Sequence, residues 1–474
     1  MKGYSLLVVS NREPYIHNWN EDRIECIRPA SGLTIALDPM MRACGGVWVA
    51  HGSGSADRET VDHTQKVRVP PEDPQYELKR VWLTKEEEEG YYYGFANEAL
   101  WPVCHIAYTR PVFRASDWEY YRKVNHLFAE AVLEEMGSER SLIFVQDYHL
   151  ALLPRTIKEV RPDAIVVQFW HIPWPNPEAF RICPWKKEIL EGLLGNDLLG
   201  FHIRYHCNNF IDTVAQELEA KPDRERNAIV YKDKTTYLRH FPISVDFDAI
   251  TEMVSKKEVE EEIKRLKTRY RLFDKIVGVG VDRLDYTKGI PEKFRAIDLF
   301  LDQNPDYRKR FVYVQLGAPS REHIPSYKQI NEEIDEAVER INWKHRSDHW
   351  SPILYLRKHV PFVSMLAFYR MATICIVSSL HDGMNLVAKE YISAKVDSDG
   401  VLILSRFTGA ARELKEALLI NPYATDEFAQ TIRRAVEMTP DEMYQRMKRL
   451  RRIVSERNIY RWAERILSKT IQVS

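Results

Sequence analysis

The feature that most constrains this chain is a series of short apolar runs, each followed by a polar loop and a helical pattern. Unbroken runs of Val, Ile and Leu are typical of strands buried on both faces, as in parallel sheets that helices cover. The pattern therefore predicts an α/β protein with mostly parallel sheets. The runs with this character span residues 4–10, 46–52, 141–147, 164–171, 197–202, 275–282, 311–317, 352–357, 373–379 and 400–405.

The runs form two series, and the segment "HFPISVDFD" (240–248) with the charged helical pattern after it separates them. A chain of 474 residues is too long for one ordinary hydrophobic core. We therefore expect two Rossmann-like, doubly wound domains that face each other across a cleft. The expected boundaries are 1–244 and 245–474, with a terminal helix in the second domain.

The clearest single helix is predicted from Ser116 to Met136. Ser116 and Glu119 have the spacing of a capping box, and Gly137 is a suitable stop.

The charge balance excludes a strong electrostatic field for nucleic acid or a membrane surface. Lys plus Arg number 68 and Asp plus Glu number 69. No apolar stretch approaches the length of a membrane span, and the N-terminal run reads as a strand rather than a signal peptide. The six cysteines are scattered and form no CxxC pair. These features predict a reduced, cytoplasmic protein, and they leave its oligomeric state, including a homo-oligomer, open.

Basic side chains follow two strands of the second series. Arg283 and Lys288 lie in "DRLDYTKG" after one strand, and Arg321 lies in "APSRE" after the next. Ligands of doubly wound sheets bind beyond the carboxyl ends of the strands. These cations therefore indicate an anion site that holds a diphosphate.

The strand at 373–379 breaks at His381-Asp382-Gly383 and leads directly into a helical pattern. A glycine before a helix start lets backbone N–H groups, here those of Met384, Asn385 and Leu386, point at phosphate oxygens. Glu390 follows about 9 Å along the helix at 1.5 Å per residue, a suitable distance for the ribose of a nucleotide. Alone, an Asp-Gly pair is usually a turn, but the two basic strand exits favour the binding site.

The first series carries fewer signals. Arg12 follows its first strand, and Gly32 opens a helical pattern. Asp147 and His171 end two strands that should be neighbours, although a histidine at such a place is more often structural. Tyr92 and Trp101, in "YYYGFANEALWP", read as core aromatics when taken alone.

The sequence implies neither a metal nor a bound cofactor. Asp397-Ser398-Asp399 has the pattern of a metal-binding DxD motif, but it lies in a polar loop before a strand. A dinucleotide-dependent oxidoreductase would need G-x-G-x-x-G between a strand and a helix. Both "GVGVDR" and "GSGSAD" lack the third glycine.

The motifs "SNR", "NEALWPVCH", "QDYHL", "HIPWP", "DRLDYTKG", "PSRE" and "HDGMNLVAKE" occur in the order found in trehalose-6-phosphate synthases, and the chain resembles that family throughout. The family comprises retaining glycosyltransferases of GT-B architecture. The resemblance implies transfer of glucose from a nucleotide-sugar co-substrate, by family default UDP-glucose, to glucose 6-phosphate. Two departures from the usual family pattern are Ser31, where a glycine is expected, and His381, where an arginine is expected.

The resemblance also implies roles for individual residues. Arg283 and Lys288 would bind the donor diphosphate, Asp382 the glucosyl hydroxyls with the backbone of the following residues, and Glu390 the ribose. His171 would contact the transferred sugar, and Gly32 would lie in a loop between donor and acceptor. The acceptor pocket would be lined by Arg12, Tyr92, Trp101, Asp147 and Arg321.

Retention permits two mechanisms. A carboxylate nucleophile would give a covalent intermediate, and Asp147 and Asp382 are the candidates by residue type. Because the resemblance assigns both to binding, we favour front-face transfer, in which Arg283 and Lys288 stabilise the departing diphosphate. Two rival functions remain: transfer to glycerol 3-phosphate, and a catalytically silent sugar-phosphate sensor.

Overall fold

A mainly parallel sheet of ten strands organises the first part of the chain, in the order β10-β11-β12-β9-β8-β7-β1-β4-β6-β5. The computed structural model describes residues 3–29, 32–137, 140–347 and 349–473. The first strands of this part are β1 (Tyr4–Arg12), β2 (Ile16–Asn20), β3 (Arg23–Ile27), β4 (Val47–His51), β5 (Lys66–Val69), β6 (Tyr76–Val81) and β7 (Arg140–Gln146). They are followed by β8 (Ile165–Phe169), β9 (Leu198–Phe201), β10 (Lys221–Asp223), β11 (Ala228–Tyr231) and β12 (Lys234–His240). Strands β2 and β3 form a separate hairpin.

Strands β6, β4, β1, β7, β8, β9 and β12 are parallel, and they are added outward from β1 in both directions. Strands β5, β10 and β11 pair antiparallel at the two edges. The chain therefore reverses its order of addition between β1 and β7, which is the switch point of a doubly wound sheet. The helices of this part are α1 (Gly32–Cys44), α2 (Lys85–Glu88), α3 (Trp101–His105), α4 (Ala115–Glu135), α5 (Leu153–Val160), α6 (Pro177–Phe180), α7 (Lys186–Leu193) and α8 (Arg204–Glu217). A π-helix, Glu89–Leu100, precedes α3.

The second sheet contains six parallel strands in the order β15-β14-β13-β16-β17-β18. Its switch point lies between β13 and β16, and this order is that of a Rossmann domain. The strands are β13 (Ile276–Arg283), β14 (Phe311–Ala318), β15 (Ile353–Arg357), β16 (Ile374–Val377), β17 (Val401–Ser405) and β18 (Leu418–Ile420). The helices are α9 (Phe247–Val254), α10 (Lys257–Tyr270), α11 (Ile290–Gln303), α12 (Pro325–His345), α13 (Phe362–Met371), α14 (Leu386–Ala394), α15 (Thr425–Val436), α16 (Pro440–Glu456) and α17 (Ile459–Val473).

The two sheets confirm the predicted α/β class, and all ten apolar runs are strands. Contacts group residues up to 242 with residues from 460 onward as one unit, and 243–459 as the other. Whereas the sequence assigned 245–474 to one domain, α17 packs with the first unit. Its Trp462 donates from Nε1 to the carbonyl of Phe241 at 3.1 Å, and its ring packs against Phe169.

The predicted capping box of α4 is wrong. The helix begins at Ala115, and its cap residue Arg114 makes no side-chain cap bond. Arg114 instead pairs with Glu98 and with Asp117 in the first turn, at 2.8 and 3.0 Å. Charge pairing therefore replaces the hydroxyl cap. In the described part of the chain, no helix is both long and apolar enough to cross a membrane.

Candidate active site

Polar residues at the switch point of the second sheet form a compact group. Strand β13 ends at Arg283, and the neighbouring β16 ends at Val377. The loops after both strands are joined, because the Ser378 hydroxyl donates to the carbonyls of Lys288 and Gly289 at 2.9 and 3.0 Å. A side chain at Gly289, where φ is 61°, would place its Cβ 2.2 Å from the Ser378 carbonyl. Only glycine permits this close approach.

Asp285 is the buried anion at the centre of this group. Its carboxylate accepts from the Thr287 backbone N–H at 2.9 Å and the Thr287 hydroxyl at 2.8 Å. Burial alone would raise the pKa of Asp285, but the positive charges of Arg283, Arg321 and Lys288 hold it below its usual value. The three predicted cations therefore act on one carboxylate.

Lys288 also contacts Asp382. The Lys288 ammonium donates to Asp382 Oδ2 at 2.7 Å, and both side chains are largely buried. The same oxygen accepts from Ser379 and Asn385 at 3.2 and 3.3 Å. The group around Asp285 and Asp382 thus holds three cations and two carboxylates, so it retains positive charge for an anion.

The break at residues 381–385 is a built turn rather than a loose connection. Asn385 has a φ of 87° and caps α14, because its Oδ1 accepts from the Ala388 N–H at 3.0 Å. The turn is held from the other side by the Gly409 N–H, which donates to the Asp382 carbonyl at 3.1 Å. A Cβ at Gly409 would lie 2.0 Å from the Gly383 carbonyl oxygen. The start of α14, the predicted anion site, is therefore sterically fixed.

Glu390 lies on α14, one turn beyond its start. Its Oε2 accepts from the Tyr369 hydroxyl at 3.0 Å. Burial raises the pKa of Glu390, and the bond from Tyr369 opposes this shift. Glu390 is therefore a desolvated acceptor with one partner already in place.

At the switch point of the first sheet, β1 ends at Arg12 and β7 is followed by Asp147. Arg12 donates from Nη2 to the Tyr92 hydroxyl at 3.1 Å. The Tyr92 ring stacks on His149, with centroids 5.5 Å apart. Arg12 and Tyr92, predicted separately, are therefore in contact.

Asp147 and His171 are also neighbours, as predicted. Asp147 Oδ1 accepts from the backbone N–H groups of Tyr148 and His171, at 2.9 and 3.2 Å. The backbone of Asp147 has φ 69° and ψ −179°, a conformation that otherwise belongs almost only to glycine. Such strain persists where surrounding structure imposes it, and it is common at functional sites.

His171 is a neutral imidazole, because burial lowers its pKa to about 3. Its Nε2 lies 2.9 Å from Gln146 Oε1, so it donates there when the proton is on Nε2. The ring packs edge-on against Phe169 and His202.

Trp101 begins α3 and is nearly fully buried, next to Tyr148, at a centroid distance of 5.9 Å. The π-helix before Trp101 carries Asn97, which links Tyr92 to Tyr148. Asn97 donates to the Tyr92 carbonyl at 2.6 Å and accepts from the Tyr148 hydroxyl at 2.8 Å. Tyr92 and Trp101 thus lie near the switch point, although packing alone explains much of their burial.

The structure brings the predicted residues into two clusters, one in each unit. Arg321, predicted for the acceptor, lies in the second unit beside Asp285, at 3.9 Å from Nη1 to Oδ2. Gly32 begins α1, whereas Ser31 lies outside the described residues. Sequence reasoning missed Asp285 as the shared counter-ion, although it stands inside "DRLDYTKG".

Three further residues that hold predicted site residues gave no local signal. They are Gln146, which contacts His171, Tyr327, which contacts Arg321, and Tyr369, which contacts Glu390.

The DxD-like loop pairs with surrounding cations. Asp397 accepts from Arg370 at 2.6 Å, and Asp399 pairs with Lys395 at 2.7 Å. Within the described residues, one His/Asp cluster has the spacing of a metal site: Asp298, Asp302 and His345. Lys344 pairs with both carboxylates, and Arg340 and Arg308 pair with one each. Neither group is arranged as an open cation site.

The chain matches known proteins along nearly its whole length. The model of glycosyltransferase family 20 covers residues 4–472. A trehalose-6-phosphate synthase of Mycobacterium avium (strain 104) is 35% identical over 447 residues, 93% of this chain and 89% of that protein.

Two solved structures show the same fold. One is an alpha,alpha-trehalose-phosphate synthase (UDP-forming) from Burkholderia xenovorans in complex with glucose-6-phosphate, with a TM-score of 0.88, 29% identity and coverage of 98% and 99% of the two chains. The other is an E. coli structure bound with UDP-2-fluoro glucose, with a TM-score of 0.88, 28% identity and coverage of 99% of each chain. The chain therefore belongs to glycosyltransferase family 20, as its motifs predict.

Proposed function

We propose that this chain is a retaining glucosyltransferase that moves glucose from UDP-glucose to glucose 6-phosphate and forms trehalose 6-phosphate and UDP. The observation that carries the proposal is the convergence of Arg283, Lys288 and Arg321 on one buried carboxylate at a Rossmann switch point. Family membership and relatives that are trehalose-6-phosphate synthases support the choice of substrates. The cytoplasmic location stays a prediction.

The donor roles follow from the second-unit geometry. Arg283 and Lys288 would bind the diphosphate, with the backbone from Gly383 to Leu386 at the start of α14. Asp382 would accept from glucosyl hydroxyls, and Glu390 from the ribose. Because Lys288 already contacts Asp382, donor binding would exchange this ion pair for bonds to phosphate and sugar.

The acceptor roles rest on the first-unit cluster and on Arg321. Arg12, Tyr92 and Arg321 would hold the phosphate of glucose 6-phosphate, and Trp101 and Asp147 would contact its sugar. His171, neutral at physiological pH, can accept or donate a hydrogen bond at the transferred glucose without adding charge.

The chemistry would be front-face transfer. The acceptor hydroxyl attacks the anomeric carbon on the side from which UDP departs, and the departing phosphate oxygen takes its proton. Arg283 and Lys288 stabilise the negative charge that develops on the diphosphate. The protein contributes position and electrostatics, without a bound metal.

The test is UDP release from UDP-glucose, with glucose 6-phosphate and glycerol 3-phosphate as separate acceptors and the product identified by mass. We expect a phosphorylated disaccharide with glucose 6-phosphate. Arg283→Ala should lower turnover by about 10²–10³, the usual cost of losing one group that stabilises developing charge. Asp382→Ala should lower kcat/KM by about 10–100-fold, because it removes charged hydrogen bonds to the glucosyl hydroxyls.

The matched control is Arg340→Ala, because Arg340 pairs with Asp298 on the surface of the same unit. It should leave turnover unchanged. Turnover only with glycerol 3-phosphate would contradict the proposed acceptor. Full turnover in both site variants would contradict the proposed site.

A further inference from the structure

The two oxygens of the Asp285 carboxylate bind two different elements, the turn after β13 and the start of α12. Oδ1 accepts from the Thr287 N–H and hydroxyl, in the loop that carries Lys288. Oδ2 accepts from the Tyr327 hydroxyl at 3.1 Å, and Tyr327 lies in the first turn of α12. Asp285 and both partners are almost wholly buried, so water does not compete for these bonds.

The Oδ1 side fixes the position of Lys288. Asp285 caps the single 3₁₀ turn Tyr286–Lys288, and the Lys288 N–H donates back to the Asp285 carbonyl at 3.0 Å. From this turn the Lys288 ammonium reaches Asp382 at 2.7 Å. The orientation of the proposed donor-binding lysine thus depends on the bonds at Oδ1.

The Oδ2 side fixes the position of Arg321. The Tyr327 hydroxyl accepts from Arg321 Nη1 at 2.5 Å while it donates to Asp285. Burial raises the pKa of Tyr327, so its hydroxyl keeps the proton that it donates to Asp285. The guanidinium itself is 3.9 Å from Asp285 Oδ2, so the phenol is the shorter link.

We propose that Asp285 and Tyr327 are positioning residues that tie the two anion sites of the reaction to one buried carboxylate. Asp285 holds Lys288 for the donor diphosphate through Thr287, and it holds Arg321 for the acceptor phosphate through Tyr327. This inference rests on the proposed function, because that function assigns Lys288 and Arg321 to different substrates.

Three variants separate the two sides. Tyr327→Phe removes the link to Arg321, Thr287→Val removes the hydroxyl bond on the Lys288 side, and Asp285→Asn removes the shared charge. The matched control is Tyr355→Phe, because the Tyr355 hydroxyl is buried in the same sheet and has no hydrogen-bond partner among the described residues. The measurements are the Kd values for UDP and glucose 6-phosphate by calorimetry, the KM of each substrate, and Tm.

We expect a crossed pattern, in which the Tyr327 and Thr287 variants each weaken the binding of a different ligand. Tyr327→Phe should raise the Kd and KM for glucose 6-phosphate by about tenfold, as expected for one lost bond to a charged group, and leave the Kd for UDP unchanged. Thr287→Val should raise the Kd for UDP several-fold and leave the Kd for glucose 6-phosphate unchanged. Asp285→Asn should weaken the binding of both ligands, and Tyr355→Phe should change the binding of neither.

The inference is overturned if Tyr327→Phe shifts both ligands equally, or neither, at an unchanged Tm. A lower Tm with an uncrossed pattern would also overturn it, because that result indicates a structural role only. The wild type reports on the proposed function separately. If it bound neither UDP nor glucose 6-phosphate, both the function and this inference would fail, whereas normal wild-type binding with uncrossed variants would refute the inference alone.

Discussion

At the scale of single residues, Asp147 combines a strained backbone with a useful side chain. Its φ of 69° and ψ of −179° cost a residue other than glycine about 1–3 kcal/mol. Its carboxylate meanwhile accepts from two backbone N–H groups at the strand exits. A purely structural site would favour glycine here, so the strain supports a functional role for the carboxylate.

This contrast predicts different effects for two substitutions. Asp147→Ala loses the carboxylate and keeps the strain, whereas Asp147→Gly loses the carboxylate and relieves the strain. We expect the first unit of Asp147→Gly to have a free energy of unfolding in urea about 1 kcal/mol or more above that of Asp147→Ala, while both variants lose most turnover. Equal stability would show that the backbone is not strained, and full turnover in either variant would contradict the proposed acceptor role.

Glu390 should give donor binding a pH dependence. Because burial raises its pKa, Glu390 becomes protonated at a higher pH than an ordinary glutamate and then loses acceptor strength towards ribose hydroxyls. At a pH above this raised pKa, Glu390→Gln should weaken UDP binding by about tenfold. The ratio of the two Kd values should shrink as the pH falls through the raised pKa, which calorimetry at several pH values measures. A ratio independent of pH would contradict the role.

Residue-level prediction from sequence worked where the signal is local. Asp382, Gly383 and Glu390 stand in one short motif between a strand and a helix, so their type and spacing could be read directly. Tyr327 lies 42 residues from Asp285, and no spacing rule links the two. Its role depends on how α12 packs beside the loop after β13, which only the folded chain shows.

At the scale of elements, a buried polar cluster joins the loop after β1 to β6 and to the turn Asp57–Glu59. Arg80, on β6, donates to Glu13 at 2.9 Å and pairs with Asp57 at 2.8 Å, and all three side chains are almost fully buried. Glu13 directly follows Arg12, so the cluster fixes the backbone next to Arg12, the residue proposed to bind the acceptor phosphate. Breaking the buried Arg80–Asp57 ion pair by removing one partner costs about 3–5 kcal/mol.

The cluster also predicts how stability depends on pH. Burial and the neighbouring Asp57 raise the pKa of Glu13 to about 8, from 4.5 in the unfolded chain. Between these two values the folded state binds a proton that the unfolded state has lost, so stability falls as the pH rises. The loss is at most about 1.4 kcal/mol per pH unit.

Glu13→Gln should therefore remove this loss. Its free energy of unfolding relative to the wild type should grow between pH 5 and 8, as measured by the urea transition of the first unit. Asp57, whose pKa is lowered to about 2, changes stability only at more acidic pH. His51, whose burial lowers its pKa to about 4, is common to both proteins and cancels in the difference. A difference that stays constant across this range would contradict the raised pKa of Glu13.

Elements buried on both faces were predictable, and polar edge elements were not. Every Val/Ile/Leu run became a strand because its burial comes from sheet packing. The hairpin strand β3, "RIECI", is largely exposed and reads as loop. The start of α4 was misread because Arg114 satisfies the first turn by ion pairs, which the Ser116–Glu119 spacing does not indicate.

At the scale of the whole molecule, the chain forms two doubly wound sheets whose central six strands follow the same order of addition. The series of apolar runs predicted both sheets, and the segment 240–248 contains the change of unit at residue 242. The return of α17 to the first unit was not predictable, because its anchor joins Trp462 to Phe241 over 221 residues. The sequence of an amphipathic terminal helix shows which face is apolar but does not indicate which unit that face packs against.

Because each unit has its own core, the two should respond separately to a local change, and a single two-state unfolding transition is not expected. Trp462→Ala removes a buried indole that packs against Phe144 and Phe169, a change that typically costs about 3–5 kcal/mol. We expect this variant to lower only the calorimetric transition of the first unit, by about 10 °C.

UDP at a hundred times its Kd should stabilise the second unit by about 2.7 kcal/mol. It should therefore raise the transition temperature of that unit only. Trp343→Ala is the control, because Trp343 is exposed on α12 and should move neither transition. If Trp462→Ala and UDP instead shifted one common transition, the units would unfold as a single cooperative body. In that case the contacts of α17 would contribute to the stability of the donor site as well, and the two sheets could no longer be assigned separate roles in stability and binding.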